Sequence, residues 1–560
     1  MDCTNAVYSE DYYDLIIEYG GRPEELDLAP CIQDVNNQYG IGYWPREGLP
    51  PFSIRSYTYT AIPRLFALQD TQAMDAANIL PIQNQPSLAL KGQGVLIGFI
   101  DTGIDYQNPV FRNLDGTTRI AAIWDQTIEA GPAPVGFLYG AEYRAAEINA
   151  ALESEEPLRL VPSEDSEGHG TYVASLAAGG SVPAEGFIGA APFSQIAMVK
   201  LKEAKETLRN FFFVRRDAQA FAENDIMAGG AYLDQLATEL RMPLVICISV
   251  GSNWGSHGGG GPLASVLDNI VGKRMRSVVI AAGNEANKRH HFYGNLPGNG
   301  ASENVEINVG EGVTGFTVEL WSLVTEVFTV EIISPTGERI GPLNIRTTYR
   351  EYDFLFENTK VMIDKNIAFA TSDFQLIFIR FQNPSQGIWN IRVYAEDVLH
   401  GAYDMWLPME EFLTGDVYFI RSNPDTTITV PGNARYPITV GGYNSQNNSA
   451  FLDSGRGYTV GGVIKPDLVA PAVEVLGAGA RNRFVAQTGT SAAAAITSGA
   501  VALIMEWAIV RGNYSRINAG EIKSILIRGA ARDNQRLYPN REWGNGRLDL
   551  YEAFNGLRST

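Results

Sequence analysis

Residues 94–105 read GVLIGFIDTGID, an apolar run that ends in Asp-Thr-Gly. This is the pattern of a buried parallel strand that is followed by a loop. Further apolar runs of this kind recur along the chain, and helical segments alternate with them. Such alternation predicts an α/β domain with a mainly parallel sheet flanked by helices. The other predicted strands are SQIAMVKLKE (194–203), PLVICISVG (243–251), RSVVIAAGNE (276–285) and YPITVGGYN (436–444).

Residues 303–432 have a different composition. Their apolar segments, such as FTVELW (316–321) and FQLIFIRFQ (374–382), are rich in β-branched and aromatic residues, and no good amphipathic helix separates them. This pattern predicts an inserted all-β domain, a sandwich or jelly roll. The predicted domains are an N-terminal α+β domain at 1–69, the α/β domain in two parts at 70–302 and 433–560, and the β insertion at 303–432.

The composition limits the classes of function. A chain of 560 residues is too long for one compact core, so two or three domains are expected. The formal net charge of −20 argues against a nucleic-acid partner and against docking on anionic membranes. Cys3, Cys31 and Cys247 are too few and too scattered for a disulfide framework or a cysteine-based zinc site. No cofactor or metal is expected, and the acidic pair Glu164-Asp165 is interpreted as part of a solvated loop.

The N-terminus gives an expectation about location. MDCTNAVYSEDYYDLIIEYGG (1–21) has acidic residues where a signal peptide needs a basic stretch and then an apolar one. The sequence has no run of about 18 consecutive apolar residues, so no membrane span is expected. The simplest interpretation is that the protein is synthesised in the cytosol and that its thiols are reduced. Release of the protein by cell lysis, or its packing into a larger structure, remains an alternative.

Four polar residues lie at predicted strand ends or helix starts. Asp101 ends the first strand, His169 lies between two glycines, Asn284 ends AAGN, and Ser491 opens an alanine-rich helix. Each alone has a structural explanation as a cap, turn or packing residue. Functional groups of open α/β sheets gather at the carboxyl ends of the strands. An activated serine needs a base to take its proton, and the base needs a carboxylate to orient it. The presence of Ser, His and Asp together therefore indicates nucleophilic catalysis.

The blocks DTGID, GHGTYVAS, AAGNE and GTSAAAA resemble the four signature blocks of the subtilisin-like serine proteases, and they stand in the same order. The resemblance covers both parts of the α/β domain and excludes the β insertion. It implies that Asp101 orients His169, which acts as general base and then acid. It implies that Ser491 attacks the scissile carbonyl, and that Asn284 forms the oxyanion hole with the backbone N–H of Ser491.

The resemblance also implies a substrate-binding edge. ISVGS (248–252) matches the strand with which this family pairs extended substrate and walls the S1 pocket. In the glycine-rich segment that follows, His257 is expected to lie in a flexible turn without a role. The residues expected to contact a protein or peptide substrate are Ser249, Val250, Gly251, Ser252 and Gly283.

One branch of the family matches better than the rest. Ala492, Ala495 and Ile496 stand where most subtilisins have Met, Pro and His. Together with the β insertion, this resembles the Csp proteases of clostridial spore-formers, in which a retained prodomain and a jelly-roll insertion accompany the core. Members of that branch activate a cortex-lytic zymogen during germination. The resemblance implies that 1–69 is a prodomain that acts as an intramolecular inhibitor or chaperone.

Self-cleavage is expected between Gln69 and Asp70. Counting back from Asp101 leads to TAIPRLFALQDTQAMD (60–75), where the mature chain of a subtilisin would begin. Phe66 would suit the apolar S4 pocket of such enzymes, and the Csp resemblance favours Gln at the cut. A simple linker is the alternative.

Other functions remain open. A non-catalytic scaffold of the same fold is the main alternative to a protease, and a lyase-type or transferase α/β enzyme is a third. An active protease could instead be released and act on host or environmental proteins. The β insertion could dock substrate, form an oligomer contact or brace the core. Bracing is favoured, because a protease without a disulfide framework needs another way to resist unfolding.

Overall fold

The computed structural model describes residues 11–18, 30–34, 39–50, 72–129, 131–343, 349–366 and 374–559. The chain divides into two compact units, Met1–Leu68 and Gln69–Thr560. This division lies next to the predicted domain boundary. The predicted cleavage site, Gln69-Asp70, lies outside the described residues.

The first unit contains a three-stranded antiparallel sheet in the order β1-β3-β2. Leu15 and Cys31 of this unit are buried. Cys31 is disulfide-bonded, so the expectation of reduced thiols is wrong for this residue, whereas Cys247 in the second unit is a free buried thiol. The strands are β1 (Tyr12–Glu18), β2 (Cys31–Asp34) and β3 (Tyr39–Pro45).

The second unit begins with alternating helices and strands, as predicted. Every residue of β4 is buried, and the same is true of β8 and β9. The strands are β4 (Leu96–Asp101), β5 (Ile120–Asp125), β6 (Ala141–Arg144), β7 (Gln195–Lys200), β8 (Leu244–Ile248) and β9 (Arg276–Ala281). The helices are α1 (Gln72–Ala76), α2 (Leu80–Asn84), α3 (Ala145–Glu153), α4 (Pro157–Leu160), α5 (His169–Ala178), α6 (Glu206–Phe212), α7 (Glu223–Glu239) and α8 (Pro262–Val271).

The inserted region forms two antiparallel sheets with a shared core that includes Phe316, Phe381 and Trp389. The sheet orders are β10-β19-β12-β17-β16-β15 and β14-β13-β18-β11-β20. The all-β prediction is confirmed, although the first strand, β10, lies ahead of the predicted start at 303. The strands are β10 (His291–Asn295), β11 (Ser302–Val309), β12 (Gly315–Leu323), β13 (Val327–Ile333), β14 (Arg339–Ile340), β15 (Tyr349–Phe354), β16 (Thr359–Asn366), β17 (Phe374–Gln382), β18 (Gly387–Asp397), β19 (Ala402–Trp406) and β20 (Val417–Phe419).

The rest of the chain completes the central sheet, whose order is β22-β21-β9-β8-β4-β7-β5-β6 with β23 beside β21. The pairs from β21 to β5 are parallel, and the edge strands β22 and β6 are antiparallel to their neighbours. The α/β prediction is therefore confirmed. The remaining strands are β21 (Ile438–Asn444), β22 (Ser449–Ala450), β23 (Leu468–Pro471), β24 (Val475–Ala478) and β25 (Phe484–Gln487), and the helices are α9 (Thr490–Met505), α10 (Ala519–Gly529) and α11 (Leu550–Asn555).

Helix α9 lies in the core, against α5 and the strands β8, β9 and β21. Its alanines 492–495 are almost fully buried, and their small side chains let the helix approach its neighbours closely. The segment Thr490–Val510 is long and apolar enough to cross a membrane, contrary to expectation. However, 83% of its most apolar stretch is buried inside the fold. Its hydrophobicity is explained by burial in the core.

Candidate active site

The residues predicted to carry chemistry lie at the carboxyl edge of the central sheet. Asp101 is the last residue of β4, and Asn284 lies in the loop after β9. His169 is the first residue of α5, and Ser491 is the second residue of α9. Because β4, β8 and β9 are parallel neighbours, their carboxyl ends meet at this edge.

The structure brings Asp101 and His169 into direct contact. The Nδ1 atom of His169 lies 2.7 Å from Oδ1 of Asp101. An ionised carboxylate only accepts hydrogen bonds, so Nδ1 carries a proton and Nε2 is left as the acceptor in the neutral ring. Asp101 also accepts the N–H of Thr102 at 2.7 Å and the hydroxyl of Ser249. The Asp101 side chain is 1% exposed, whereas that of His169 is 35% exposed. The carboxylate is therefore buried, and the imidazole is partly accessible to solvent.

Burial and charge act in opposite directions on this pair. Burial alone would raise the pKa of Asp101, but His169 and the hydrogen bonds from Ser249 and Thr102 outweigh burial and hold that pKa below its ordinary value. Burial also opposes the charged form of His169, but Asp101, with a smaller contribution from Asp165, raises the pKa of His169. The surroundings therefore stabilise the imidazolium that forms when His169 accepts a proton.

Two glycines make the position of His169 possible. Gly168 has a φ of 82°, in the left-handed region, at the point where the chain turns into α5. A Cβ atom on Gly170 would lie 2.2 Å from the carbonyl oxygen of Gly103. Helix α5 therefore begins directly against the loop that follows Asp101, and this close approach explains the Gly-His-Gly pattern.

Asp165 is buried, and its interpretation as a solvated loop residue is therefore wrong. It is 4% exposed, and its carboxylate accepts hydrogen bonds from Thr102, Gly168 and Thr171. The neighbouring Glu164 is exposed, as expected. The available signal was an acidic residue just ahead of a helix start, where an oxygen can accept free N–H groups. Within the described ranges, no group of three or more His, Cys, Asp or Glu side chains could hold a metal ion.

Asn284 is held in one orientation beside the start of α9. Its Oδ1 accepts the backbone N–H of Thr490 at 3.0 Å and the Thr490 hydroxyl at 3.1 Å. A backbone N–H can only donate, so the atom that faces it is the amide oxygen, and Nδ2 is the donor that points away. The Cβ position of Gly489 lies 3.4 Å from Nδ2, so this donor lies next to the start of α9.

The Ser491 hydroxyl lies beside Ser249, the first residue of the predicted substrate edge. Its Oγ is 3.5 Å from the carbonyl oxygen of Ser249, at the limit of a hydrogen bond. Among the described residues, no hydrogen bond joins Ser491 to His169. Catalytic hydrogen bonds are often long before substrate binds and tighten afterwards. The backbone N–H of Ser491 lies in the first turn of α9, where helix N–H groups have no partner within the helix.

The predicted substrate edge, residues 249–252, follows β8 and is half-buried. At its far end Ser252 exchanges two backbone hydrogen bonds with Val430, at 2.9 and 2.8 Å. A Cβ atom on Gly251 or on Gly283 would lie 2.5 Å from the hydroxyl oxygen of Thr429. Thr429 therefore lies against both predicted walls of the S1 pocket. Sequence reasoning missed this residue.

His257 is a core residue, not part of a flexible turn as predicted. It is 1% exposed, and its ring stacks on Trp406 of β19 with centroids 4.1 Å apart. Its ring nitrogens lie 2.9 Å from the carbonyl oxygen of Ile428 and 3.0 Å from that of Asn253. Burial lowers the pKa of His257 to about 4. The residue joins the segment after the predicted substrate edge to the inserted sheets.

Comparison with known proteins identifies the family to which the chain is similar. A sequence model of the subtilase family, Peptidase_S8, matches residues 92–314 and 415–546. The solved structure of the Clostridium perfringens CspB protease is similar, with 32% sequence identity and a TM-score of 0.77. That match covers 87% of this chain and 97% of the other chain.

Curated proteases match over shorter regions. A region of 127 residues is 31% identical to the subtilisin-like protease SBT2.4 of Arabidopsis thaliana, which is 20% of this chain and 15% of that protein. A region of 152 residues is 32% identical to the membrane-bound transcription factor site-1 protease of Mus musculus, covering 26% and 13%. The chain therefore aligns with a small part of the length of these two curated relatives.

Proposed function

Because this chain belongs to the subtilase family of serine proteases, we propose that it is an endopeptidase whose triad is Asp101, His169 and Ser491. The hydrogen-bonded Asp101–His169 pair beside the start of α9 is the observation that carries this proposal. A carboxylate that holds a histidine by Nδ1 has the geometry that a general base needs.

In the proposed mechanism, Ser491 Oγ turns from the Ser249 carbonyl towards His169 and gives its proton to Nε2 as it attacks the scissile carbonyl. Asp101 holds the tautomer and stabilises the imidazolium. The negative charge that develops on the substrate oxygen is accepted by Nδ2 of Asn284 and the backbone N–H of Ser491. His169 then returns the proton to the leaving amine, which departs and leaves an acyl group on Ser491. A water molecule, deprotonated by His169, attacks this acyl-enzyme, and the acid product is released as Ser491 regains its proton.

The proposed substrate is an extended peptide. Residues 249–252 are partly exposed and lie beside the nucleophile, which supports recognition by strand pairing. Gly251 and Gly283 would form the walls of S1, with Thr429 against both. The size and polarity of the residue before the cut would then be selected in this pocket.

We further propose that the chain cleaves itself near Gln69, keeps residues 1–69 as a bound prodomain, and activates a protein zymogen during spore germination. The likeness to the C. perfringens CspB protease supports this assignment to the Csp branch. Action in the cytoplasm or spore of a spore-forming bacterium belongs to the same proposal. Action on host or environmental proteins after release is the alternative.

A peptidyl phosphonate that labels active serines tests the catalytic proposal. We expect mass spectrometry to place the label on Ser491, and Ser491→Ala to abolish labelling. Ser524→Ala, which removes an exposed serine on α10, is the matched control. A processed, folded protein that takes up no label would favour the non-catalytic scaffold or a retained prodomain that blocks the nucleophile.

Self-cleavage has its own test. Ser491→Ala should give one unprocessed chain, whereas two fragments at the wild-type position would show that another protease makes the cut. A peptide library incubated with the active protein should show a preference for Gln before the cleaved bond. Preference for another residue would contradict the proposed cleavage site and the Csp assignment.

A further inference from the structure

Asp165 is a buried carboxylate that the proposed mechanism does not use. Its Oδ1 accepts hydrogen bonds from the Thr102 hydroxyl and the Gly168 N–H, both at 2.9 Å. Its Oδ2 accepts the Thr171 N–H at 2.8 Å and the Thr171 hydroxyl at 2.6 Å. Four donors converge on one side chain that is 4% exposed, so both oxygens are fully engaged.

These bonds connect the two elements that carry the proposed catalytic pair. Gly168 and Thr171 flank His169 at the start of α5, and Thr102 directly follows Asp101. The Thr102 hydroxyl donates to Asp165 and also accepts the N–H of Gly170 at 2.9 Å. Two N–H groups in the first turn of α5 are therefore bonded to Asp165 or Thr102 instead of to helix carbonyls.

The negative charge of Asp165 also acts on the site. A carboxylate beside the first turn of a helix is favoured by the helix dipole, which lowers the cost of burying it. The same charge stabilises a positive charge on the imidazole of His169. Asp165 itself contacts donors on the loop after Asp101 and on α5, so its influence reaches a substrate through His169.

We propose that Asp165 is a positioning residue of the active site, which ties the first turn of α5 to the loop after Asp101 and so sets the His169 ring against Asp101. This inference rests on the proposed triad for its effect on catalysis. Its effect on the His169 ring itself can be measured whether or not the chain cleaves peptides.

The experiment uses Asp165→Asn, which has the same shape but cannot accept all four hydrogen bonds. The matched control is Glu164→Gln, which removes a charge from the exposed neighbour. Histidine labelled with ¹⁵N is followed by NMR through a pH titration in the Ser491→Ala background, with His169→Ala to assign the signal. We expect Asp165→Asn to move the His169 titration to lower pH and to weaken the Nδ1–H signal, and Glu164→Gln to leave both unchanged.

The kinetic arm uses the active chain. A misplaced base can cost up to about 10²-fold in rate, so we expect kcat of Asp165→Asn to fall by about 10- to 100-fold with KM nearly unchanged. The acid limb of its pH profile should move to lower pH. A purely structural role would lower the amount of folded enzyme without moving that limb.

A second pair of variants covers the case in which Asp165→Asn does not fold. Thr102→Val removes the bridging hydroxyl and should shift the His169 signal, whereas Thr102→Ser should restore it. The proposal is overturned if the folded Asp165→Asn or Thr102→Val protein titrates at His169 like the Glu164→Gln control. If the signal shifts but the parent protein cleaves no peptide, the positioning role stands and the proposed function fails.

Discussion

Asn284 and Thr490 are 206 residues apart in sequence, and two hydrogen bonds to one amide oxygen join them. Thr490 in turn accepts the N–H of Gly283 at 3.1 Å through its hydroxyl. These bonds fix the loop after β9 to the start of α9. They leave Nδ2 of Asn284 as a donor beside Gly489.

This arrangement predicts that the amide donor matters more than the shape of Asn284. Asn284→Asp keeps an oxygen towards Thr490 but replaces the donor with a second acceptor. We expect kcat to fall by about 10²–10³-fold, with little change in KM, because the donor acts on the charge of the transition state. Peptide hydrolysis measures this, and Asn210→Asp, an exposed site on α6, controls for the added charge. An unchanged kcat would remove Asn284 from the oxyanion hole.

The activity should depend on pH through the protonation of His169. His169 must be neutral to accept the serine proton, and its surroundings raise its pKa above the ordinary value of 6.5. As pH falls, kcat/KM should therefore decline with a midpoint above 6.5, and activity should be retained on the alkaline side. A pH profile with its acid midpoint below that of a free histidine would contradict the raised pKa.

Much of the site could be predicted because each predicted residue ends a recognisable strand or begins a helix. Asp101 and Asn284 follow runs of buried residues whose carboxyl ends meet by the geometry of a parallel sheet. Ser491 follows from the same rule, since α9 returns to that edge. The local signal was its place in Gly-Thr-Ser at a predicted helix start, because the surrounding alanines alone favour a packing role.

The remaining features depend on packing between segments that are distant in sequence. The position of Asp165 just ahead of a helix start was a weak signal, and the bonds from Thr102 and α5 that bury it form only in the folded chain. Thr429 meets Gly251 and Gly283 only after the chain returns from the inserted sheets. The glycine-rich sequence around His257 favours a flexible turn. His257 is nevertheless buried, because Trp406 packs against its ring. Sequence periodicity carries no information about such contacts.

Thr429 leads to a prediction about specificity. Its side chain occupies the space where a Cβ atom on Gly251 or Gly283 would lie. We therefore expect this side chain to limit the depth of S1. Thr429→Gly should raise kcat/KM for peptides with a large residue before the cut, relative to a small one, by about 10-fold or more. Thr429→Ser, which keeps the hydroxyl, should change the ratio less. Equal ratios in all three proteins would place Thr429 outside the pocket.

The last prediction tests whether the inserted sheets brace the catalytic domain. Trp406 of β19 is 2% exposed and stacks with His257 and with His291 of β10. If the two regions unfold together, Trp406→Ala should lower the free energy of unfolding by about 3–5 kcal/mol, the usual effect of removing a buried aromatic ring. The midpoint at which heating abolishes phosphonate labelling of Ser491 should fall with it.

A control inside the insertion separates bracing from local damage. Trp389 is fully buried between the two inserted sheets, with Phe354 and Phe381 against it. With bracing, Trp389→Ala should also lower the temperature at which Ser491 labelling is lost, in a single cooperative transition. Without it, Trp389→Ala would melt the insertion alone and leave labelling unchanged. These substitutions are cleaner than deletion of 303–432, because that deletion would also remove Thr429 from the cleft.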